Sequence, residues 1–170
     1  MEWRAFYQVS SEDGFVHPKR TQPVEDRTDL YVLGTGVDRG IKFRSGKRDI
    51  VEIKVRTSVD DNQIEQWKKH KHPIDSIGEV VPALAGVPPE ELKTLAVQKR
   101  RFYQGQLEIV NIVVPPYSRS AVATYWVSFC LEGKSAPSER ELQAVKERLP
   151  QGALIGGYPT WIEALALAAI

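Results

Sequence analysis

Ile41-Lys42-Phe43-Arg44, then Ser45-Gly46-Lys47-Arg48-Asp49, then Ile50-Val51-Glu52-Ile53-Lys54-Val55-Arg56: the fold turns on how this stretch is read. Successive side chains of a strand point to opposite faces. Lys42 and Arg44 therefore share one face, and Ile41 and Phe43 the other. Glu52, Lys54 and Arg56 likewise lie opposite Ile53 and Val55. The Ser-Gly-Lys-Arg-Asp segment between them has the chemistry of a turn. The spacing predicts a hairpin over 39–45 and 49–57 with one apolar face and one charged face. Lys99-Arg100-Arg101 repeats the alternation, placing Lys99 and Arg101 together. Cations gathered on a curved sheet repel one another unless a polyanion sits among them.

The total charge sharpens this. The chain has 170 residues, enough for a single domain over 1–170 with a proper core. Lys plus Arg number 23 against 22 Asp plus Glu, a net charge of +1. That balance argues against a general nucleic-acid or membrane binder, which would be basic overall. An anion site here must come from where charges are placed rather than from their sum. Cys130 is the one cysteine, which rules out an internal disulfide and fits a reducing, cytoplasmic setting. It lies in an apolar run with no His placed to serve it, and reads as a packed thiol. The opening Met-Glu-Trp-Arg has no signal-peptide character, and no apolar run is long enough to span a bilayer.

Strand signals dominate the rest of the chain. Residues 2–9 and 29–34 read as strands, separated by a polar loop over 10–28. Residues 94–103 and 106–114 form a second hairpin across Gln104-Gly105, and 121–132 is the longest strand signal. In that segment Tyr125, Val127, Phe129 and Leu131 share a face. Asp60, with Gln63 three residues on, predicts the capped start of a helix over 60–72, stopped by Pro73. A short helical turn is expected at 90–93. Ser138 and Glu141 form a second capping box, followed by Leu142, Val145 and Leu149 at helical spacing until Pro150. A last helix is expected near Thr160, with Glu163 as its capping partner. The expected fold class is α+β: a closed or strongly curved antiparallel β-barrel of about eight strands with helices packed outside.

In a small soluble barrel the interior is normally apolar. The alternation offers an inverted arrangement, with apolar faces outward beneath helices and charged faces lining a water-filled tunnel. Arg suits phosphate through its planar fork, and Lys adds a mobile point charge. Carboxylates on the same faces, Glu2, Glu108 and Glu132, are candidate ligands for Mg²⁺ or Mn²⁺, hard cations that prefer oxygen. Any one such segment taken alone better fits cross-strand ion pairs on a solvated face. Three together, two of them with apolar partner faces, point toward a site.

In order along the chain, these segments resemble the triphosphate tunnel metalloenzymes, or CYTH-like superfamily. The matching stretches are Glu2-Trp3-Arg4, Lys42-Phe43-Arg44, Glu52-Ile53-Lys54-Val55-Arg56, Lys99-Arg100-Arg101, Glu108, Glu132 and Gly157-Tyr158-Pro159-Thr160-Trp161. The resemblance implies an eight-stranded tunnel that hydrolyses a triphosphate compound, or cyclises a nucleotide, with Mg²⁺ or Mn²⁺. It implies that Arg4, Lys42, Arg44, Lys54, Arg56, Lys99 and Arg101 grip phosphates. Lys54 and Arg56 would stand at the reacting group, Glu2 and Glu132 would bind metal, and Glu52 and Glu108 would support them. The chain departs from the family's opening Glu-x-Glu-x-Lys, placing Arg4 at the second acid and Phe6 at the Lys. Its last paired acids reduce to Cys130-Leu131-Glu132. The alternative is a barrel that binds polyphosphate or another polyanion without hydrolysing it, as a regulatory or interaction module.

Other residues read more plainly. His70 and His72 do not share a helix face and suit a solvated basic helix end. Trp3, Trp126 and Trp161 read as core, although Trp126 sits on the charged side of its strand. Gly34-Thr35-Gly36 and Gly156-Gly157 lack the context of a phosphate-binding loop and read as turns.

Overall fold

The computed structural model describes residues 1–44, 50–73, 88, 91–116 and 121–168. Its elements in chain order are β1 (Glu2–Val9), β2 (Glu25–Val32), β3 (Arg39–Arg44), β4 (Ile50–Val59), β5 (Glu65–Pro73), β6 (Thr94–Gln104), β7 (Leu107–Val114), β8 (Thr124–Glu132), α1 (Glu139–Lys146), β9 (Leu154–Ile155) and α2 (Tyr158–Ala168). The strands pair antiparallel in the order β5-β4-β3-β2-β6-β7-β8-β1-β9, and β5 also meets β1. Eight strands thus close a barrel, with the short β9 laid on the outer edge of β1. Closure is narrow: β1 meets β5 at the single register pair Glu2–Glu65, whereas β1 and β8 pair along the whole length of β1.

The predicted hairpins are present. β3 and β4 pair with Lys42 opposite Glu52 and Ile41 opposite Ile53, and β6 pairs β7 with Arg101 opposite Val110. The turn at 45–49 lies outside the described residues, as does Glu90; of the turn expected at 90–93, the Glu91 N–H bonds back to the Pro88 carbonyl at 3.0 Å. β2 begins at Glu25, inside the stretch read as loop.

The helix expected over 60–72 is a correction: residues 65–73 are strand β5, paired with β4 along its length. Asp60 does cap, but it caps a hairpin. Its carboxylate accepts the backbone N–H groups of Asn62 at 2.9 Å and Ile64 at 2.8 Å, and Gln63 turns back with φ of +63°. As strand residues, His70 and His72 share a face after all.

Around the barrel, the outward side chains of β1, β6, β7 and β8 form one apolar layer. It contains Trp3, Ala5, Phe102, Ile109, Val127 and Phe129, and Leu142 and Val145 of α1 cover it. The Ser138–Glu141 capping box holds the start of that helix, as expected. Ile41, Val51, Ile53 and Val32 form a second outer cluster with Phe43, Val55 and Leu92.

The third cluster lies inside. Phe6, Tyr31, Val97, Val110 and Ile112, on the inner faces of their strands, pack against Tyr158, Trp161 and Ile162 of α2. Phe6 stacks on Trp161 with ring centroids 4.9 Å apart. One half of the bore is therefore filled by the last helix and is not open tunnel. Trp126 lies in this half, edge-on to Trp161 at 5.7 Å, and packs. The seat of α2 needs two glycines. A Cβ on Gly40 would come within 2.8 Å of the Pro159 ring, and one on Gly157 within 2.7 Å of a Glu65 oxygen. α2 starts at Tyr158, before Thr160, so Glu163 has no cap to serve; its carboxylate instead accepts the Gly36 backbone N–H at 3.1 Å. Among the described residues, no helix is long and apolar enough to cross a membrane.

Candidate functional site: a cationic pocket in the open half of the bore

The inner faces change character along each strand. On β1, Phe6 gives way to Arg4 and Glu2; on β6, Val97 gives way to Lys99 and Arg101; on β7, Ile112 and Val110 give way to Glu108. These ionic positions converge on a cavity of about 200 Å³ bounded on the α2 side by Tyr158 and Pro159. At about 30 Å³ per water, it has room for roughly seven waters.

Nine of the eleven residues singled out from sequence line this cavity: Glu2, Arg4, Lys42, Arg44, Glu52, Lys54, Arg101, Glu108 and Glu132. Lys99 and Arg56 stand apart. Lys99 is fully buried in the wall, with its ammonium 2.8 Å from Asp29 and 3.7 Å from the centre of the Tyr158 ring. Arg56 donates to Glu65 at 2.8 Å and to Asp38.

Sequence reading missed Arg27, Lys69 and Lys71, which also line the cavity. The signals were present. Trp67-x-Lys69-x-Lys71 alternates as a strand inside the stretch expected to be helical, and the Glu25, Arg27, Asp29 and Tyr31 alternation starts ahead of the strand expected over 29–34.

Carboxylates and cations interlock here. Arg4 uses all three guanidinium nitrogens: Nε donates to Glu2 at 3.0 Å, one terminal nitrogen to Ser128 Oγ at 2.9 Å, and the other to Glu108 at 2.8 Å. Lys54 donates to the second oxygen of Glu2. Lys42 pairs with Glu52 at 3.0 Å, and Lys69 with Glu132 at 2.5 Å. Asp29, fully buried behind the wall, has Lys99 at 2.8 Å and Arg27, Arg44 and Lys42 at 3.5, 3.5 and 3.7 Å.

Burial alone would raise the acid pKa values, but the cations outweigh it. Arg4 with Lys54 holds Glu2 well below the carboxylate range, and Lys99 with Lys42 and Arg27 does the same for Asp29. Arg4 and Arg101 bring Glu108 down to about 2. Burial lowers the Lys42 and Lys99 pKa values despite the same partners. Burial also pushes the Cys130 thiol up, as suits an inert wall residue.

The interlocking leaves a surplus. Eight Lys and Arg side chains line the cavity against four Glu, a formal +4 in a chain whose total is +1. Asp29 and Lys99 behind the wall cancel, while Glu25, outside the lining, pairs with Arg27 at 3.1 Å and with Arg101. Arg44 reaches only the shared Asp29, and Lys71 has no ion-pair partner among the described residues. Tyr158 lines the cavity, and its hydroxyl is buried with no hydrogen-bond partner among the described residues.

The carboxylates do not fit a divalent metal as arranged. Each of the four is engaged by Arg or Lys, and the described residues contain no group of three or more His, Cys, Asp or Glu able to hold a metal ion. Mg²⁺ needs near-octahedral oxygen ligation, whereas these oxygens face N–H donors.

Fold and cavity together define a closed antiparallel barrel, plugged at one half and cationic in the other. No family model and no curated protein matches the chain. Among solved structures it is similar to the PH1819 protein from Pyrococcus horikoshii OT3 (TM-score 0.54, 14% identity, 99% of each chain covered). A conserved hypothetical protein from Pyrococcus furiosus aligns over 89% of this chain and 93% of its own (TM-score 0.50, 15% identity). A chain of the Schizosaccharomyces pombe Mediator head module aligns over 91% and 97% (TM-score 0.54, 10% identity). At these identities the likeness is one of fold.

Proposed function

We propose that the open half of the bore binds a compact polyanion of the triphosphate class. The carrying observation is the surplus of +4 concentrated in a cavity of about 200 Å³. Two like charges about 8 Å apart repel by about 2 kcal/mol at an effective dielectric of 20, so a lining in which cations outnumber carboxylates favours an anionic occupant. A linear chain of phosphates offers many oxygens to many donors; one carboxylate does not. The interlocked acids favour binding over metal-assisted hydrolysis. The resemblance to triphosphate tunnel enzymes supports the choice of anion.

Calorimetric titration with inorganic tripolyphosphate tests this. Tight 1:1 binding, lost in high salt and weakened in Lys54→Ala, is expected. No heat and no thermal stabilisation by tripolyphosphate, pyrophosphate or a nucleoside triphosphate would sink the reading. Release of phosphate on adding Mg²⁺ or Mn²⁺ would extend it to the triphosphatase activity that the resemblance implies.

A further inference from the structure

We propose that Arg4 occupies the place of a divalent cation between Glu2 and Glu108, so that anion binding in this pocket does not depend on metal. The proposal rests on the anion-binding reading above and specifies its chemistry. Glu2 and Glu108 come from β1 and β7, and the Arg4 guanidinium bridges them at 3.0 and 2.8 Å. Its remaining terminal nitrogen is held by Ser128 at 2.9 Å, and the Tyr158 ring covers it at 4.7 Å. The side chain is 4% exposed, so the bridge is shielded from bulk solvent and held in place by its three hydrogen bonds. A planar fork joining two carboxylates neutralises them with directed hydrogen bonds. A metal would have to expel that fork and leave a buried guanidinium without its partners.

Metal-free protein is titrated with Mn²⁺ alone, and free Mn²⁺ is followed by its paramagnetic resonance signal. Wild type is expected to take up little Mn²⁺. Arg4→Ala, which frees one oxygen each of Glu2 and Glu108 while Lys54 and Arg101 keep the others, is expected to bind it at least about tenfold more tightly. Tripolyphosphate titrations then run in chelator. Wild type is expected to bind in chelator, whereas Arg4→Ala is expected to lose about tenfold in affinity and to recover it with Mn²⁺. A purely structural brace would show no such recovery.

Wild-type Mn²⁺ uptake as tight as that of Arg4→Ala would overturn the proposal, as would wild-type anion binding that requires metal. If Arg4→Ala does not fold, the two wild-type titrations still decide, because strong Mn²⁺ uptake or a metal requirement in wild type is fatal by itself. If wild type ignores tripolyphosphate in every buffer, the binding reading falls, and the Mn²⁺ titration alone still judges the role of Arg4.

Discussion

The two halves of the bore are built from the same strands and behave as different materials. Toward α2 the inner face is Phe6, Val97, Val110 and Ile112, closed by Trp161 and Ile162. Two residues further along β1, β6 and β7, the same face is Arg4, Lys99 and Glu108, all buried and all charged. The apolar half gains stability from removing area from water, at about 25 cal/mol per Å². The ionic half gains little from pairing, because buried ion pairs roughly break even against their desolvation. Packing and binding are therefore separated by half the length of a strand, and the packing can be perturbed without the binding.

The most damaging test of that separation is Trp161→Ala. Trp161 is fully buried against Phe6, so its removal is expected to cost about 3–5 kcal/mol in denaturant unfolding while tripolyphosphate affinity of the folded fraction is retained. A loss of affinity matching the loss of stability would merge the two halves. Acid acts from the other side. Glu2, Asp29 and Glu108 bind protons less readily folded than unfolded, so their stabilisation is complete above the ordinary carboxylate range near 4.5 and lost as pH falls toward 2. A decline of a few kcal/mol over that window is expected, shallower in Glu108→Gln, measured by unfolding at stepped pH.

Arg44→Ala touches only the ionic half. Stability is expected to move by no more than about 0.5 kcal/mol, and affinity to fall about tenfold, or about 1.4 kcal/mol. The smallest effect belongs to Gln63→Gly, in the β4–β5 turn outside both halves. Relief of its left-handed backbone, offset by a freer unfolded chain, is expected to add about 0.5 kcal/mol with no change in binding.

Where the chain was legible, period-2 alternation made it so. Lys42-Phe43-Arg44 and Glu52 through Arg56 specify both the hairpin and which side chains meet in the bore, because one face must be buried and the register follows. β5 was illegible because Trp67-Lys68-Lys69-His70-Lys71-His72 is polar on both faces, so alternation carries no contrast. Asp60 then supplied a capping signal that a tight turn uses equally well. The plug was illegible for another reason. Trp161 and Ile162 give a normal helix stripe, and nothing local says that the surface awaiting it is the inside of a barrel. The Arg4 bridge likewise joins residues 104 positions apart through Glu108, a distance no local pattern reports.

The seam between β1 and β5 has a mechanical side. With one register pair joining the two strands, the ring is held there largely by Lys54 on Glu2 and Lys69 on Glu132, a clasp of side chains where other strands have a ladder. A guest that draws those two ammonium groups toward itself unfastens the clasp as it settles, so occupancy is expected to trade rigidity at the seam for contact in the interior. Amide hydrogens flanking Glu2 and Glu65 are where that trade would be written, exchanging faster when the pocket is full while the ladder between β6 and β7 stays silent.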